Sequence, residues 1–133
     1  MYGSLDISTS GMIAQRTRMT VIASNIANVN SIQNSKGEYE PYLRRAAMLS
    51  PAGSDGQPMG VQVSEVQIMQ GAVKAAWRPG HPNADDDGNI MVPDIDTTSE
   101  WVNGLEASRA YEANVVAAEA SKSMMAQALR LLA

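Results

Sequence analysis

The sequence predicts a mainly α protein. Elongated N- and C-terminal helices form an antiparallel coiled-coil-like pair, joined by a middle segment of extended loops and a small β element. Three observations carry the prediction. Apolar residues recur every seven positions near both ends, as Leu5, Met12, Met19 and Ile26 and again as Tyr111, Ala118, Met125 and Leu132; this is the period of a helix with a narrow apolar seam. Short oxygen-bearing residues, Asp96 to Ser99, stand before the second run as candidate caps. Glycine and proline crowd between Ser31 and Asp96 and punctuate that stretch into turns. The chain therefore divides into residues 1–30, 31–98 and 99–133, the two helical ends forming one axial core domain.

The first helix is expected from a cap at Asp6 or Ser8 to about Val29. Ile22 and Val29 occupy its second seam position, where Gln15 is the polar exception. Asn28, Asn30, Ser31 and Asn34 favour termination, because their side chains compete for backbone groups. Gly37, Pro41, Pro51, Gly53, Gly56, Pro58 and Gly60 then break the chain. Tyr39, Tyr42 and Leu43 read as one extended segment, and Val61, Val63, Val66 and Ile68 as a strand bulged near Ser64 and Glu65. A further strand, Ile90 to Val92, follows the Asp87-Gly88 turn. The second helix is expected from about Ser99 to Leu132, with Thr97 and Glu100 at capping-box spacing. Val115 and Leu129 form its second seam, which Lys122 interrupts. The expected helix interface is thus Met12, Met19, Ile22, Ile26 and Val29 with Tyr111, Val115, Ala118, Met125, Leu129 and Leu132. A helix of about 34 residues is roughly 50 Å long, whereas a compact chain of this size has a radius of gyration of about 14 Å. Such a helix projects beyond a globular body, which favours a helical hairpin or an elongated assembly.

Composition narrows the function. The 133 residues hold no cysteine, excluding disulfides, thiolate metal sites and cysteine nucleophiles. Ten basic against fourteen acidic residues, without a basic cluster, argue against a nucleic-acid binder. No apolar stretch approaches the roughly 20 residues of a membrane span. Gln15, Arg16 and Arg18 interrupt the start, so no cleavable signal peptide is expected. His81 is the single histidine, and Asp85, Asp87, Asn89 and Asp96 only approach calcium-loop spacing, with Ile90 where the loop needs glycine. Glu106, Glu112 and Glu119 share no carboxylate geometry for hydrolysis. Arg44 and Arg45 make a small basic point on a solvated edge. No catalytic, cofactor-binding or metal-binding residue is therefore expected. A helical interaction module and a structural assembly subunit both fit, because periodicity does not separate intramolecular pairing from subunit packing.

Three segments carry a resemblance. Ala23-Ser24-Asn25-Ile26-Ala27-Asn28-Val29-Asn30 looks like a segment shared by flagellar rod and hook proteins. Pro79-Gly80-His81-Pro82-Asn83-Ala84-Asp85, continuing through Gly88 to Pro93-Asp94-Ile95-Asp96, and then Ala107-Ser108-Arg109-Ala110-Tyr111-Glu112-Ala113-Asn114-Val115, are more specific. Together they resemble the FlgC family of bacterial flagellar basal-body rod proteins over nearly the whole chain. Asp94, Ile95 and Glu112 depart from the asparagine, valine and glutamine of the family pattern.

The resemblance implies a non-enzymatic structural subunit of the proximal rod that packs helically and passes motor torque toward hook and filament. A helical export or assembly adaptor is the alternative. It implies delivery by the flagellar type III export apparatus and a place in the periplasmic part of the basal body. The implied partners are copies of itself and FliE-like, FlgB-like, FlgF-like and FlgG-like axial proteins. Among the family-motif residues, Asp96 is expected to hold helix N-terminal amides, Tyr111 to pack and Arg109 to reach carboxylates between subunits. Ile26→Asp is expected to impair assembly by burying a charge in the first seam.

Overall fold

In the computed structural model, which describes residues 2–53 and 59–133, two long helices bracket two β-hairpins. The order is α1 (Tyr2–Ala27), β1 (Arg45–Pro51), β2 (Val61–Ile68), β3 (Val73–Trp77), β4 (Asn89–Pro93) and α2 (Thr97–Leu132). Gly56 and Pro58, two of the expected breakers, lie outside the described residues.

The helices pack antiparallel. Gly11 lies against Asn114, Ile22 against Gly104 and Asn25 against Glu100. The buried line of α1 runs through Ser8, Gly11, Ala14 and Asn25 and meets Ala107 and Glu100 of α2. Small residues occupy this line because two backbones approach closely there: a Cβ on Gly11 would stand 2.6 Å from Asn114 Oδ1. With 26 and 36 residues, the helices are about 39 Å and 54 Å long. Carrying the Gly11–Asn114 register back to Tyr2 places the start of α1 opposite Ser123. Met124–Leu132 then runs on for about 13 Å without α1 beside it.

β1 and β2 form an antiparallel hairpin that packs on α1. Met48 pairs with Glu65 and Leu49 with Val63, so Ser64 is the extra residue of a bulge, where the alternation of β2 breaks. Its hydroxyl donates to Met48 O at 3.1 Å. Ser10 Oγ fastens this hairpin to α1 by accepting from Val61 N at 3.1 Å. Gly60, at φ 109°, leaves space for that hydroxyl. β3 and β4 form the second antiparallel hairpin, which buries Ile90, Val92 and Pro93. Tyr39 ties it to the preceding loop: its hydroxyl donates to Met91 O at 2.8 Å and accepts from Met91 N at 2.7 Å.

The boundaries differ from expectation at several points. α1 begins at Tyr2, ahead of both Asp6 and Ser8, and stops at Ala27, leaving Val29 in a turn. The stop is made by Asn28, whose Nδ2 donates to Ser24 O at 2.8 Å and whose Oδ1 accepts from Ser31 Oγ at 3.0 Å. α2 begins at Thr97 with Asp96 as its cap, and no Thr97–Glu100 capping box forms, because Glu100 is turned into the interior. Tyr39 joins an isolated bridge with Gln33, while residues 41–44 have no strand partner. β1 and β3, each containing an Ala-Ala pair, were unanticipated.

Candidate functional site

The densest polar arrangement lies where the end of α1, the beginning of α2 and the start of β1 converge. Asn25 is fully buried, and its amide uses all four hydrogen-bonding positions. Nδ2 donates to Arg45 O at 2.8 Å and to Glu100 Oε2 at 3.1 Å. Oδ1 accepts from Arg45 N at 3.0 Å and from the Tyr42 hydroxyl at 3.1 Å. The phenolic proton being committed, Ser24 Oγ donates to the Tyr42 oxygen across 3.1 Å. Glu100, 1% exposed, receives Arg44 Nε at 2.5 Å on its other oxygen. Arg45 stacks its guanidinium 5.5 Å from the Tyr42 ring centroid. A buried carboxylate is tolerable only with such partners. The arrangement is a latch: it fixes the crossing of the helices and the exit of the chain into β1.

The second motif segment builds the β3–β4 connection and the entry to α2. Asp85 accepts from Asp87 N at 3.0 Å and Asn89 N at 2.8 Å through Oδ1, and His81 Nδ1 accepts from Asn83 N at 3.2 Å. Gly88 sits at φ 81°, and a Cβ there would lie 3.1 Å from Pro79 Cβ. Pro79, Gly80 and Pro82 are exposed along this loop, whereas Pro93 is buried at its far end. Among the described residues, no group of three or more histidine, aspartate and glutamate side chains could hold a metal ion. Asp96 accepts from Thr98 N at 3.0 Å and from Ser99 Oγ at 2.8 Å. The Ser99 hydroxyl first, then the Thr98 amide, hold its carboxyl below the ordinary aspartate value.

The remaining expected residues spread along the helix pair. Met12, Met19, Ile22 and Ile26 are half-buried beside the central line of α1, and Ala27 is exposed. On α2, Ser108, Tyr111, Asn114, Val115, Ala118 and Met125 are half-buried, whereas Arg109 is exposed. Asn114 Nδ2 donates to Ala110 O at 2.8 Å, holding its side chain over Gly11. Leu129 and Leu132, on the stretch beyond α1, are 63% and 85% exposed. At the opposite end of the pair, Met19, Ile22, Ala23 and Ile26 face Trp101 and Leu105 across an open apolar groove of about 330 Å³.

Curated relatives decide what this arrangement belongs to. The chain is 37% identical over 127 residues to the flagellar basal-body rod protein FlgC of Salmonella typhimurium, covering 95% of this chain and 93% of that relative. FlgC of Bacillus subtilis is 32% identical, covering 98% of this chain and 97% of its own, and FlgC of Borreliella burgdorferi is 31% identical, covering 99% and 97%. The chain belongs to the FlgC family of flagellar basal-body rod proteins. It is a structural flagellar rod protein. Residues 5–31 also match the family model described as flagella basal body rod protein. That span is α1 from Leu5 together with the Ser24–Asn28 motif and the turn that ends the helix.

Sequence reasoning missed the partners that complete the latch. Arg44 read as a solvated basic point, Glu100 as half of a capping box, and Tyr42 as part of an extended segment. Arg44 and Glu100 are 56 residues apart, and Asn25 and Glu100 are 75 apart, so no local spacing links them. Gly11 was also missed. Its one signal is a glycine inside a helical run, which costs stability unless a close approach needs it.

Proposed function

We propose that this chain is a non-enzymatic subunit of the proximal rod that packs against copies of itself and other axial proteins and carries torque through its helix pair. The observation that carries the reading is the surface left over after folding. A folded monomer of 14.2 kDa is expected to expose about 6,800 Å², and this chain exposes 9046 Å². Trp101, Leu105, Val116, Leu131 and Leu132 are among the large apolar side chains left at the surface, all on α2. Trp101 and Leu105 share one apolar groove with Met19, Ile22 and Ile26, and contiguous exposed apolar surface of that kind marks interaction sites. Shear between the helices is resisted by the latch at one end and by the close Gly11–Asn114 contact further along, so load applied to one helix passes to the other.

FliE-like, FlgB-like, FlgF-like and FlgG-like neighbours, type III export and a periplasmic position rest on the family resemblance. Among the described residues no helix is long and apolar enough to cross a membrane. The test is electron cryo-microscopy of purified basal bodies carrying a small label on this chain. Label density in the proximal rod, with both helices in the inner layer, is expected. Functional basal bodies without the labelled chain, despite its expression, would overturn the reading in favour of an export or assembly adaptor.

A further inference from the structure

The two edges of the β3–β4 hairpin are treated differently. On the β4 side every outward N–H is taken. Met91 donates to the Tyr39 hydroxyl and accepts its proton, at 2.7 and 2.8 Å. Asn89 N donates to Asp85 Oδ1 at 2.8 Å, and Asn89 O accepts from Asp85 N at 2.9 Å. Pro93 has no N–H to offer. On the β3 side the register places Ala75 opposite Met91 and Trp77 opposite Asn89. Residues opposite one another in an antiparallel pair turn their backbone groups the same way, either toward each other or both outward. Ala75 and Trp77 therefore point N–H and C=O away from β4. Among the described residues nothing accepts or donates there, and no second element of the fold packs beside β3. Trp77, at the same edge, is 74% exposed.

We propose that the outer edge of β3 takes an extended, basic segment of another polypeptide as a third strand of this sheet. The proposal rests on the rod reading above, which supplies the neighbouring chains. The backbone defines the shape of the partner, because a row of free N–H and C=O groups at strand spacing is matched by another strand. Charge defines its composition. From Val73 to Asp96 there are five aspartates against Lys74 and Arg78, a net charge of −3 out of the −4 of the whole chain. Asp86 and Asp87, in the turn at the Trp77 end, and Asp94, at the Val73 end, are exposed and have no cation partner among the described residues. The exposed indole favours a cation as well. A second copy fits poorly. Its ten basic residues lie on the two helices, in the turn at Lys36, at the paired start of β1, or on β3 and the residue after it. Its one free extended stretch with a basic residue is thus β3 itself, and joining two copies there brings two hairpins of net charge −3 together.

Hydrogen exchange, read residue by residue by mass spectrometry on the purified chain and on purified basal bodies, tests this. In the purified chain the Ala75 and Trp77 amides should exchange freely, while Ala76, bonded to β4, is protected. In basal bodies both outward amides should slow by about 100-fold or more. Ala75→Pro removes one outward N–H without touching a β3–β4 bond, a substitution that edge strands tolerate. It should restore fast exchange at Trp77 in basal bodies with Ala76 still protected. Should it disturb the hairpin, Asp86→Lys with Asp87→Lys should do the same by repelling the basic strand. Fast exchange at Ala75 and Trp77 in basal bodies that contain the chain overturns strand addition and leaves the rod reading intact. Protection at Trp77 that survives the two charge reversals overturns the basic partner. Protection that grows with the concentration of the purified chain also overturns the proposal, in favour of two copies pairing edge to edge. Functional basal bodies lacking the chain remove the rod reading together with it.

Discussion

Replacing Glu100 by glutamine tests the latch with almost no change of shape. The carboxylate accepts on both oxygens, from Arg44 Nε on one and Asn25 Nδ2 on the other. A glutamine amide offers one acceptor and one donor group. Whichever way it turns, an N–H₂ group faces another donor, either the Arg44 guanidinium or the Asn25 amide. Asn25 has no compensating freedom, because its other three positions are held by Arg45 and Tyr42. The loss combines a charge-assisted bond, about 1.5–3 kcal/mol, with a buried unsatisfied donor, about 1–3 kcal/mol. Arg44 is 28% exposed and recovers part of its share from water. The expected net destabilisation is therefore about 2–4 kcal/mol. Urea denaturation of the purified chain, followed by circular dichroism, would show a lower midpoint with an unchanged slope. A double-mutant cycle gives the sharper result. Arg44→Met leaves a buried carboxylate with only Asn25 as a partner among the described residues, and is expected to cost about 3–5 kcal/mol. Adding Glu100→Gln to Arg44→Met should restore part of that loss. If Glu100→Gln alone lies within about 0.5 kcal/mol of the parent, or if the two costs simply add, the carboxylate is not a desolvated hub and the reasoning fails.

Gly11→Ala should destabilise by about 1–3 kcal/mol despite the better helix propensity of alanine, because its Cβ meets a side chain held in place by Ala110 O. Asn114→Ala in the same chain should suppress that loss, as thermal melts of the single and double variants would reveal. Gly88→Ala, at φ 81° and against Pro79, should cost at least about 1 kcal/mol and lower the melting temperature measurably. For Asp96 the sign follows from a folded-state pKa below the ordinary 3.8. Its contribution is fully present above about pH 3.8 and is lost as pH falls through the lowered folded value. The stability gap between the parent and Asp96→Ala should therefore be flat near neutrality and close in acid. A gap that widens on acidification would refute the capping account.

The helical ends were legible because each repeats large apolar residues at a helical period over more than three turns, and the bulged β2 because β-branched residues alternate and then slip at Ser64. β1 and β3 were not, since Ala46-Ala47 and Ala75-Ala76 carry no strand signal. The helix contact was legible in outline and missed in detail. Periodicity weights Met12, Met19 and Ile26, yet the closest approach belongs to Ser8, Gly11 and Ala14, where larger side chains would force the backbones apart. The latch was half legible. Ser24, Asn25 and Asn28 stand out through the family resemblance, but what Asn25 holds is set by chain segments that only folding brings together.

That division has a mechanical consequence. Apolar side chains slide past one another at little cost, so a helix pair held by seam contacts alone can shift in register. Asn25 and Glu100 have directional partners on three different segments, and a shift of one residue, about 1.5 Å along the axis, breaks several of their bonds together. The end of the pair nearest the middle segment is thereby fixed, whereas at the far end α2 runs on past Tyr2 without α1 beside it. A subunit fixed at one end and unsatisfied at the other suits growth by addition: the free stretch can adjust its angle as it finds a neighbour, and the latch keeps that adjustment from unwinding the pair behind it. Loosening the latch should thus weaken load transfer before it weakens incorporation, and Glu100→Gln basal bodies should assemble in near-normal number while rotating poorly under viscous load. The reverse order, lost incorporation with normal rotation of the remaining flagella, would place the role of the latch in assembly.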